Sequence, residues 1–337
     1  MNYNRLGASG LKVSPICLGA MTFGKETSAD VAAKMVNHAR DTGVNFIDTA
    51  ESYVIGESEK IVGKLIKKDR HDWVVATKLG SKPVGDGPNQ RGLSRAWMID
   101  GLNGSLKRLG MDYVDIYYLH RADPTTPLVE TIETMGDLIR AGKVRYWGFS
   151  NFRAWKIAEM VNLAEKLGVP KPVIAQPYYS VLHRLPEMEY LPACHEYGIG
   201  VAPYSPLARG VLTGKYGMDI TKAKDTKRGA GEIGTYGDVY TRDCLSIASK
   251  IKARAEKRGM TAVDLSINWL LNSSVVSSIV SGPRTLAHWK AYVAALDHDF
   301  TAADEAFIEK LAPTCYPHQL SYTELKDPPR GRFAIKV

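Results

Sequence analysis

Short β-branched, apolar runs recur along this chain, each ending on a polar residue and each followed by a stretch with helical spacing. VNFIDTA reaches Asp48, VVATK ends on Lys78, VDIYYLH ends on His120, and VRYWGFSN ends on Ser150 and Asn151. A continuous apolar run belongs to a strand buried on both faces, so its polar terminus sits at the rim of whatever the strands build. Successive rims carry Asp, Lys, His and Ser-Asn, with Tyr53 one turn beyond Asp48. A rim that collects ionisable groups in this way is laid out as an active site.

The alternation continues to the far end. Ser28 precedes ADVAAKMVNHARDT, apolar at helical spacing, and Gly43 stops it. Ser before the first turn and Gly after the last are the expected punctuation. Strands are expected at 44–50, 73–78, 113–120, 144–150, 173–178, 200–205 and 275–282, after a first strand in GLKVSPICLG. Helices are expected at 58–68, 94–110 (Ser94 cap, Gly110 stop), 127–142, 153–168, 187–198 and 245–258. Eight β-then-α units predict a parallel, fully covered sheet. CLGAMTFG lacks the GxGxxG turn of an open doubly wound sheet. The expected fold is therefore α/β, a closed (β/α)8 TIM barrel with its site at the carboxyl ends of the strands. Residues 1–337 read as a single barrel domain. Residues 1–12 predict an N-terminal β-hairpin plug turning at Ala8-Ser9-Gly10. A long loop after strand 7, residues 206–245, is of a length usually kept for function. The tail, 313–337, holds four prolines and no helical period.

Composition narrows the partners. With 45% hydrophobic and 24% charged residues, the chain has ample core for a globular barrel. No run approaches the ~20 apolar residues of a membrane span, and MNYNRLGASG is not of signal-peptide type, so a cytoplasmic location is expected. The formal charge is +8, but lysines and arginines are scattered, which argues against nucleic acid and for an anionic small molecule. Cys17, Cys194, Cys244 and Cys315 lie far apart and read as reduced thiols, with no metal-like spacing.

Asp48, Tyr53, Lys78 and His120 make sense as a unit. A phenol is a poor acid at neutral pH. An ammonium within hydrogen-bond reach would stabilise the phenolate, and a carboxylate would hold the ammonium in place. An imidazole opposite the phenol would orient a carbonyl oxygen between them. Such a site protonates an alkoxide as it forms, which is what carbonyl reduction needs. Taken singly, an Asp after a strand is a cap, a terminal Lys is solvated, and the His is structural. Their coincidence at one rim favours chemistry.

These pieces resemble the aldo-keto reductase family over residues 3 to about 296. The matching stretches are LGxSGLKV with LGxMTFG, NFIDTAESY with GESEKIVG, VVATKLG, DYVDIYYLHR, IRAGKVRYWGFSNF, the QPYYS stretch from Gln176, and PYSPLARGVLTGKY. The resemblance implies Tyr53 as proton donor, Lys78 and Asp48 as its tuning pair, and His120 as the carbonyl-orienting group. It implies a nicotinamide cofactor, NADPH preferred and NADH possible, and an aldehyde or ketone substrate. Ser150, Asn151 and Gln176 match the carboxamide-holding residues, and Tyr204 the aromatic that stacks on the nicotinamide. Ser205, Leu207, Gly210 and Lys215 match the pyrophosphate segment. Gly19, Met21 and Thr22 match the loop beneath the nicotinamide. In the last barrel loop, Gly282 and Arg284 match the adenosine-phosphate clamp, with Arg284 on the 2′-phosphate, where a guanidinium suits a dianion. The family's Gln and Asn on the following helix are replaced here by His288 and Tyr292, leaving His288 or Trp289 to stack on adenine. Phe23, Val54, Tyr53 and His120 are the expected substrate-contacting set. Two other readings compete. The potassium-channel β-subunits of the same family keep the barrel as a partner-docking module, which would make this chain an auxiliary, cofactor-binding regulatory subunit. A cofactor-free aldolase or isomerase using Lys78 as a Schiff base would leave Tyr53, Ser150, Asn151 and Gln176 without a role.

Overall fold

A computed structural model describes residues 1–81, 87–219 and 239–314. The expected hairpin is present: β1 (Asn4–Arg5) pairs antiparallel with β2 (Lys12–Val13). The barrel follows in order. Its elements are β3 (Ile16–Gly19), α1 (Ala29–Asp41), β4 (Phe46–Asp48), α2 (Glu57–Ile66), β5 (Val74–Leu79), α3 (Arg95–Leu109), β6 (Val114–Leu119), α4 (Leu128–Arg140), β7 (Val144–Ser150), α5 (Ala154–Lys166), β8 (Ile174–Gln176), α6 (Tyr190–Glu196), β9 (Gly200–Val201), α7 (Arg242–Glu256), α8 (Ala262–Leu271), β10 (Ile279–Ser281), α9 (Leu286–Ala294) and α10 (Ala302–Leu311). The strands β3 to β10 form one eight-stranded parallel sheet, β10 beside β3. Parallel bridges Val201–Val276 and Tyr204–Val280 join β9 to the β10 side. The molecule is a (β/α)8 barrel.

Side chains alternate across each strand, and the core divides accordingly. Val75, Tyr117, Leu119, Trp147 and Phe149 face outward into the shell beneath the helices. Cys17, Phe46, Val74, Ala76, Ile116, Tyr118, Ile174 and Ala202 form a second cluster inside the barrel, and Leu6 and Val13 of the hairpin belong to it. The hairpin therefore closes the amino-terminal end with apolar side chains. The same period of two carries the inward face upward: Phe46 to Asp48, Ala76 to Lys78, Tyr118 to His120, Ile174 to Gln176. Polar residues occupy the top layer of a barrel whose lower layers are apolar.

The helices start where their caps are written. Ser28 and Ser94 accept from the backbone N–H of Val31 and Trp97, and Gly110 ends α3 at φ 65°. Three expectations change. The strand foreseen at 200–205 is only Gly200–Val201, because Pro203 has no N–H to give to a ladder; its carbonyl still accepts from Val280 at 2.9 Å. The 187–198 helix shrinks to Tyr190–Glu196, preceded by a separate turn at Leu185–Glu187 containing Pro186. The helix expected at 245–258 is α7, Arg242–Glu256, and a further helix not foreseen, α8, follows it, opened by a Thr261–Asp264 capping box. The tail beyond 314, Cys315 included, and residues 220–238 of the long loop lie outside the described residues. Among the described residues, no helix is long and apolar enough to cross a membrane.

α2 and α3 pack closely because residue 63 has no side chain: a Cβ there would meet the Leu109 carbonyl oxygen at 2.0 Å. Gly63→Ala must push the two helices apart. It is expected to cost about 1–3 kcal/mol, read as a lowered urea midpoint, and an unchanged midpoint would mean the crossing yields freely.

Candidate active site

Lys78 is fully buried, and its ammonium needs partners to be there at all. It has three. Nζ donates to Asp48 Oδ1, to the Thr49 carbonyl at 2.8 Å and to the Tyr53 hydroxyl at 3.3 Å. Asp48 is 1% exposed, and its other oxygen accepts from Gln176 Nε2 at 2.9 Å. Burial works against both charges. It raises the Asp48 carboxyl despite the ammonium beside it. In Lys78 burial pulls downward but is outweighed by Asp48 and then Tyr53, so the amine stays raised and protonated. The result is a cation held against the phenol from below.

His120 completes the set. Its ring meets Tyr53 edge-on, centroids 5.8 Å apart and planes at 84°. Desolvation, then the cations Lys78 and Arg121, hold its pKa well below the ordinary value, so the imidazole is neutral. Nδ1 is buried without a hydrogen-bond partner. A neutral imidazole carries one N–H to present to an oxygen.

The remaining rim residues join through hydrogen bonds. Ser150 Oγ donates to the Gln176 carbonyl at 2.7 Å and accepts from Asn151 Nδ2 at 2.9 Å. Asn151 Nδ2 also reaches the His120 carbonyl at 3.0 Å, while its Oδ1 accepts from the Tyr204 hydroxyl at 2.9 Å. The four elements β4, β5, β7 and β8 thus share one polar layer.

The backbone around this layer is unusually often left-handed. Val54 (φ 49°), Ile55 (53°), Asn151 (59°), Ser205 (56°), Ala208 (44°) and Arg209 (58°) are all non-glycine residues with positive φ. Two consecutive β-branched residues in this region are costly. They let the chain turn sharply after Tyr53 and leave Ile55 85% exposed at the mouth. Between Ser205 and Gly210 the turns follow one another, and a Cβ at Gly210 would come within 3.6 Å of Lys215 Nζ. A cation thus lies beside a sharply turning glycine backbone.

Other expected residues take these places. Gly19 packs on the Ser281 carbonyl, and Met21 is 43% exposed. Thr22 is buried, its hydroxyl shared with Thr27 and the Pro283 carbonyl, which ties the first rim loop to the last. Leu207 is buried, Gly282 and His288 are exposed, Arg284 is half-buried, and Tyr292 is buried. Trp289 is fully buried against His38, leaving His288 as the exposed ring of the pair. Phe23, expected to touch substrate, lies instead wholly in the shell under the helices. The turn that bonds Phe23 N–H to the Ala20 carbonyl folds its ring inward. Val54 is half-buried beside Tyr53. Thr49's carbonyl was not anticipated, since a backbone acceptor leaves no residue-type signal. Among the described residues, no three His, Cys, Asp or Glu side chains group as metal ligands.

The model of the aldo/keto reductase family matches residues 15–313. This chain belongs to the aldo/keto reductase family. It is 41% identical over 291 residues to a probable voltage-gated potassium channel subunit beta of Oryza sativa subsp. japonica, covering 84% of this chain and 87% of the relative. The counterpart of that name from Arabidopsis thaliana is 39% identical, with the same coverage of each chain. An uncharacterized oxidoreductase, YrpG, of Bacillus subtilis is 35% identical over 88% of this chain and 91% of its own.

One more ionisable group stands behind the site of this aldo/keto reductase. Glu51 is 1% exposed, and burial lifts its pKa from 4.5 to about 7, with the Gly80 N–H opposing and Glu59 adding to the rise. Its folded form holds a proton that the unfolded chain has already lost. Its stabilising contribution is therefore complete below pH 4.5 and disappears as pH rises through about 7. The whole change is about 3 kcal/mol at most. Glu51→Gln is expected to flatten the decline in melting temperature between pH 5 and 8; a parallel decline in both proteins would assign it elsewhere.

Proposed function

We propose that this chain is an NADPH-dependent carbonyl reductase, interconverting an aldehyde or ketone and its alcohol. The observation that carries the reading is the Tyr53 hydroxyl 3.3 Å from an ammonium that Asp48 and Thr49 keep buried and charged. Bound NADPH supplies the hydride. As negative charge grows on the substrate oxygen, Tyr53 gives up its proton to it. Lys78 stabilises the phenolate left behind, and Asp48 and Thr49 prevent the ammonium from following the proton. The neutral His120 donates its N–H to the same oxygen and fixes the carbonyl's direction. Run backward, the phenolate takes the proton of an alcohol.

The rim fits this cofactor. Lys215 beside the turning backbone at 205–210 supplies a cation and exposed peptide dipoles for a pyrophosphate. The layer of Ser150, Asn151 and Gln176 holds amide and hydroxyl groups of the kind a carboxamide pairs with, under the Tyr204 ring. Gly19, Met21 and Thr22 would lie beneath the nicotinamide, and Ser205, Leu207 and Gly210 along the phosphates. Gly282 and half-buried Arg284, next to the Thr285 cap of α9, would take the 2′-phosphate, with exposed His288 and buried Tyr292 nearest the adenine. Substrate would meet Tyr53, His120 and Val54. The Lys78 amine, kept protonated, is unsuited to Schiff-base attack.

The names of the rice and Arabidopsis relatives favour a second reading, a cofactor-holding regulatory subunit with little turnover. NADPH oxidation with 4-nitrobenzaldehyde separates the two: steady turnover supports the reductase, and cofactor binding without turnover supports the subunit. Tyr53→Phe is expected to lower turnover at least about 100-fold with NADPH affinity unchanged, and a variant keeping half its rate would remove Tyr53 as donor. Arg284→Ala is expected to weaken NADPH by about 10-fold or more while leaving NADH binding as it was. Equal losses for both cofactors, measured by fluorescence titration, would take the guanidinium off the 2′-phosphate.

A further inference from the structure

The first turn of α2 buries polar side chains where a helix on a barrel normally buries apolar ones. Ser58 and Glu59 are both fully buried. Ser58 Oγ donates to the Ala20 carbonyl at 2.7 Å and lies 2.7 Å from Thr49 Oγ1. Thr49 is the residue whose carbonyl holds Lys78. Glu59 accepts from Thr77 Oγ1 at 2.5 Å, and Thr77 directly precedes Lys78. Its other oxygen accepts from Arg108 Nε at 2.6 Å, and Arg108 Nη2 reaches Ser105 within α3 at 3.2 Å.

Arg108 does something further. A Cβ on Gly56 would lie 2.5 Å from Arg108 Cδ and 2.8 Å from its Nε. The arginine stem is therefore pressed against the last residue of the left-handed turn Tyr53–Gly56, whose φ values of 49°, 53° and 82° at Val54, Ile55 and Gly56 must be enforced by packing. One side chain thus bears at once on the turn that carries Tyr53 and, through Glu59 and Thr77, on the strand that carries Lys78. A buried ion pair is a poor source of net stability, since desolvation offsets its attraction. Its retention here is better explained by geometry.

We propose that Arg108, through Glu59 and Thr77, is a positioning residue of the reductase: it holds the strained turn after Tyr53 in register with β5, so that the phenol oxygen stays within reach of Lys78. Arg108 is on α3, partly exposed on the helix side, and touches neither phenol nor ammonium; its action is indirect. The inference rests on the proposed reductase chemistry for its consequence, though the geometry it asserts does not.

The test is made on the full chain in four forms: wild type, Arg108→Ala, Arg108→Lys and Thr77→Val. Fluorotyrosine is incorporated, and the Tyr53 resonance is assigned by its loss in Tyr53→Phe. Two quantities are read: the pH titration of that resonance, and turnover of 4-nitrobenzaldehyde at saturating NADPH. In Arg108→Ala the Tyr53 titration is expected to move to higher pH and kcat to fall about 10–100-fold, with NADPH affinity unchanged. Arg108→Lys, which keeps stem and charge, recovers most of both, and Thr77→Val shifts both in the direction of the alanine variant but less. A folded Arg108→Ala protein whose Tyr53 titration matches wild type overturns the proposal, whatever its stability. If wild type shows no turnover while the titration still moves in Arg108→Ala, the positioning role stands and the reductase reading falls. If Arg108→Ala does not fold, the titration in Thr77→Val, which deletes one hydroxyl, decides in the same way.

Discussion

An ammonium without water depends on the groups that replace it. Lys78 sits in the top layer of a barrel whose lower layers are apolar, and its charge is tolerable there only because Asp48, the Thr49 carbonyl and the Tyr53 hydroxyl surround it. Much of the architecture follows from that need. β4 must reach far enough to bring Asp48 beside β5, in the register that pairs Ile47 with Val75. β8 must bring Gln176 to the carboxylate's second oxygen. The hairpin closes the opposite end with Leu6 and Val13, which leaves the carboxyl ends of the strands to the polar layer that holds Lys78. In such surroundings any change of charge on the phenol is felt strongly by the ammonium, because little solvent is there to screen it.

The parts of this arrangement that could be read from sequence are those governed by period two. Once Phe46, Ala76, Tyr118 and Ile174 point inward, so do Asp48, Lys78, His120 and Gln176, and apolar runs make the strands easy to see. Caps at Ser28 and Ser94 were equally visible, since they depend on neighbours three residues away. What escaped depends on partners distant in sequence or on the backbone itself. The Thr49 acceptor is a carbonyl, and carbonyls occur at every position. Pro203 was legible as a residue, yet its effect on strand length came only with the neighbour it fails to bond. α8 shows no single apolar stripe, because INWLL is apolar on more than one face, and only its Thr261–Asp264 capping box marks its start. Phe23 looked like a rim aromatic until the turn at Ala20 folded it under the helices. The link of Arg108 to Gly56 crosses 52 positions and is carried by an absent Cβ.

Strain is concentrated in the same layer. Six non-glycine residues with positive φ lie in the loops after β4, β7 and β9. Each resists its own conformation by about 1–2 kcal/mol, so each persists because surrounding contacts over-determine it. Asn151 shows how: its side chain is fixed by His120, Ser150 and Tyr204 at once. The rim is therefore held where the polar layer is, by hydrogen bonds rather than by regular structure.

The interruption at Pro203 has an effect on what the barrel can carry. Between β9 and β10 the ladder is reduced to isolated bridges, so neither strand relies on an unbroken row of partners along that seam. A long excursion of chain leaves the sheet at this place, and the entropy of closing it grows only logarithmically with its length. Residues can be added to or removed from that excursion without shifting any strand against its neighbour. Along that seam the inward-facing columns of side chains are aligned by a few bridges rather than by the length of the chain that joins the two strands.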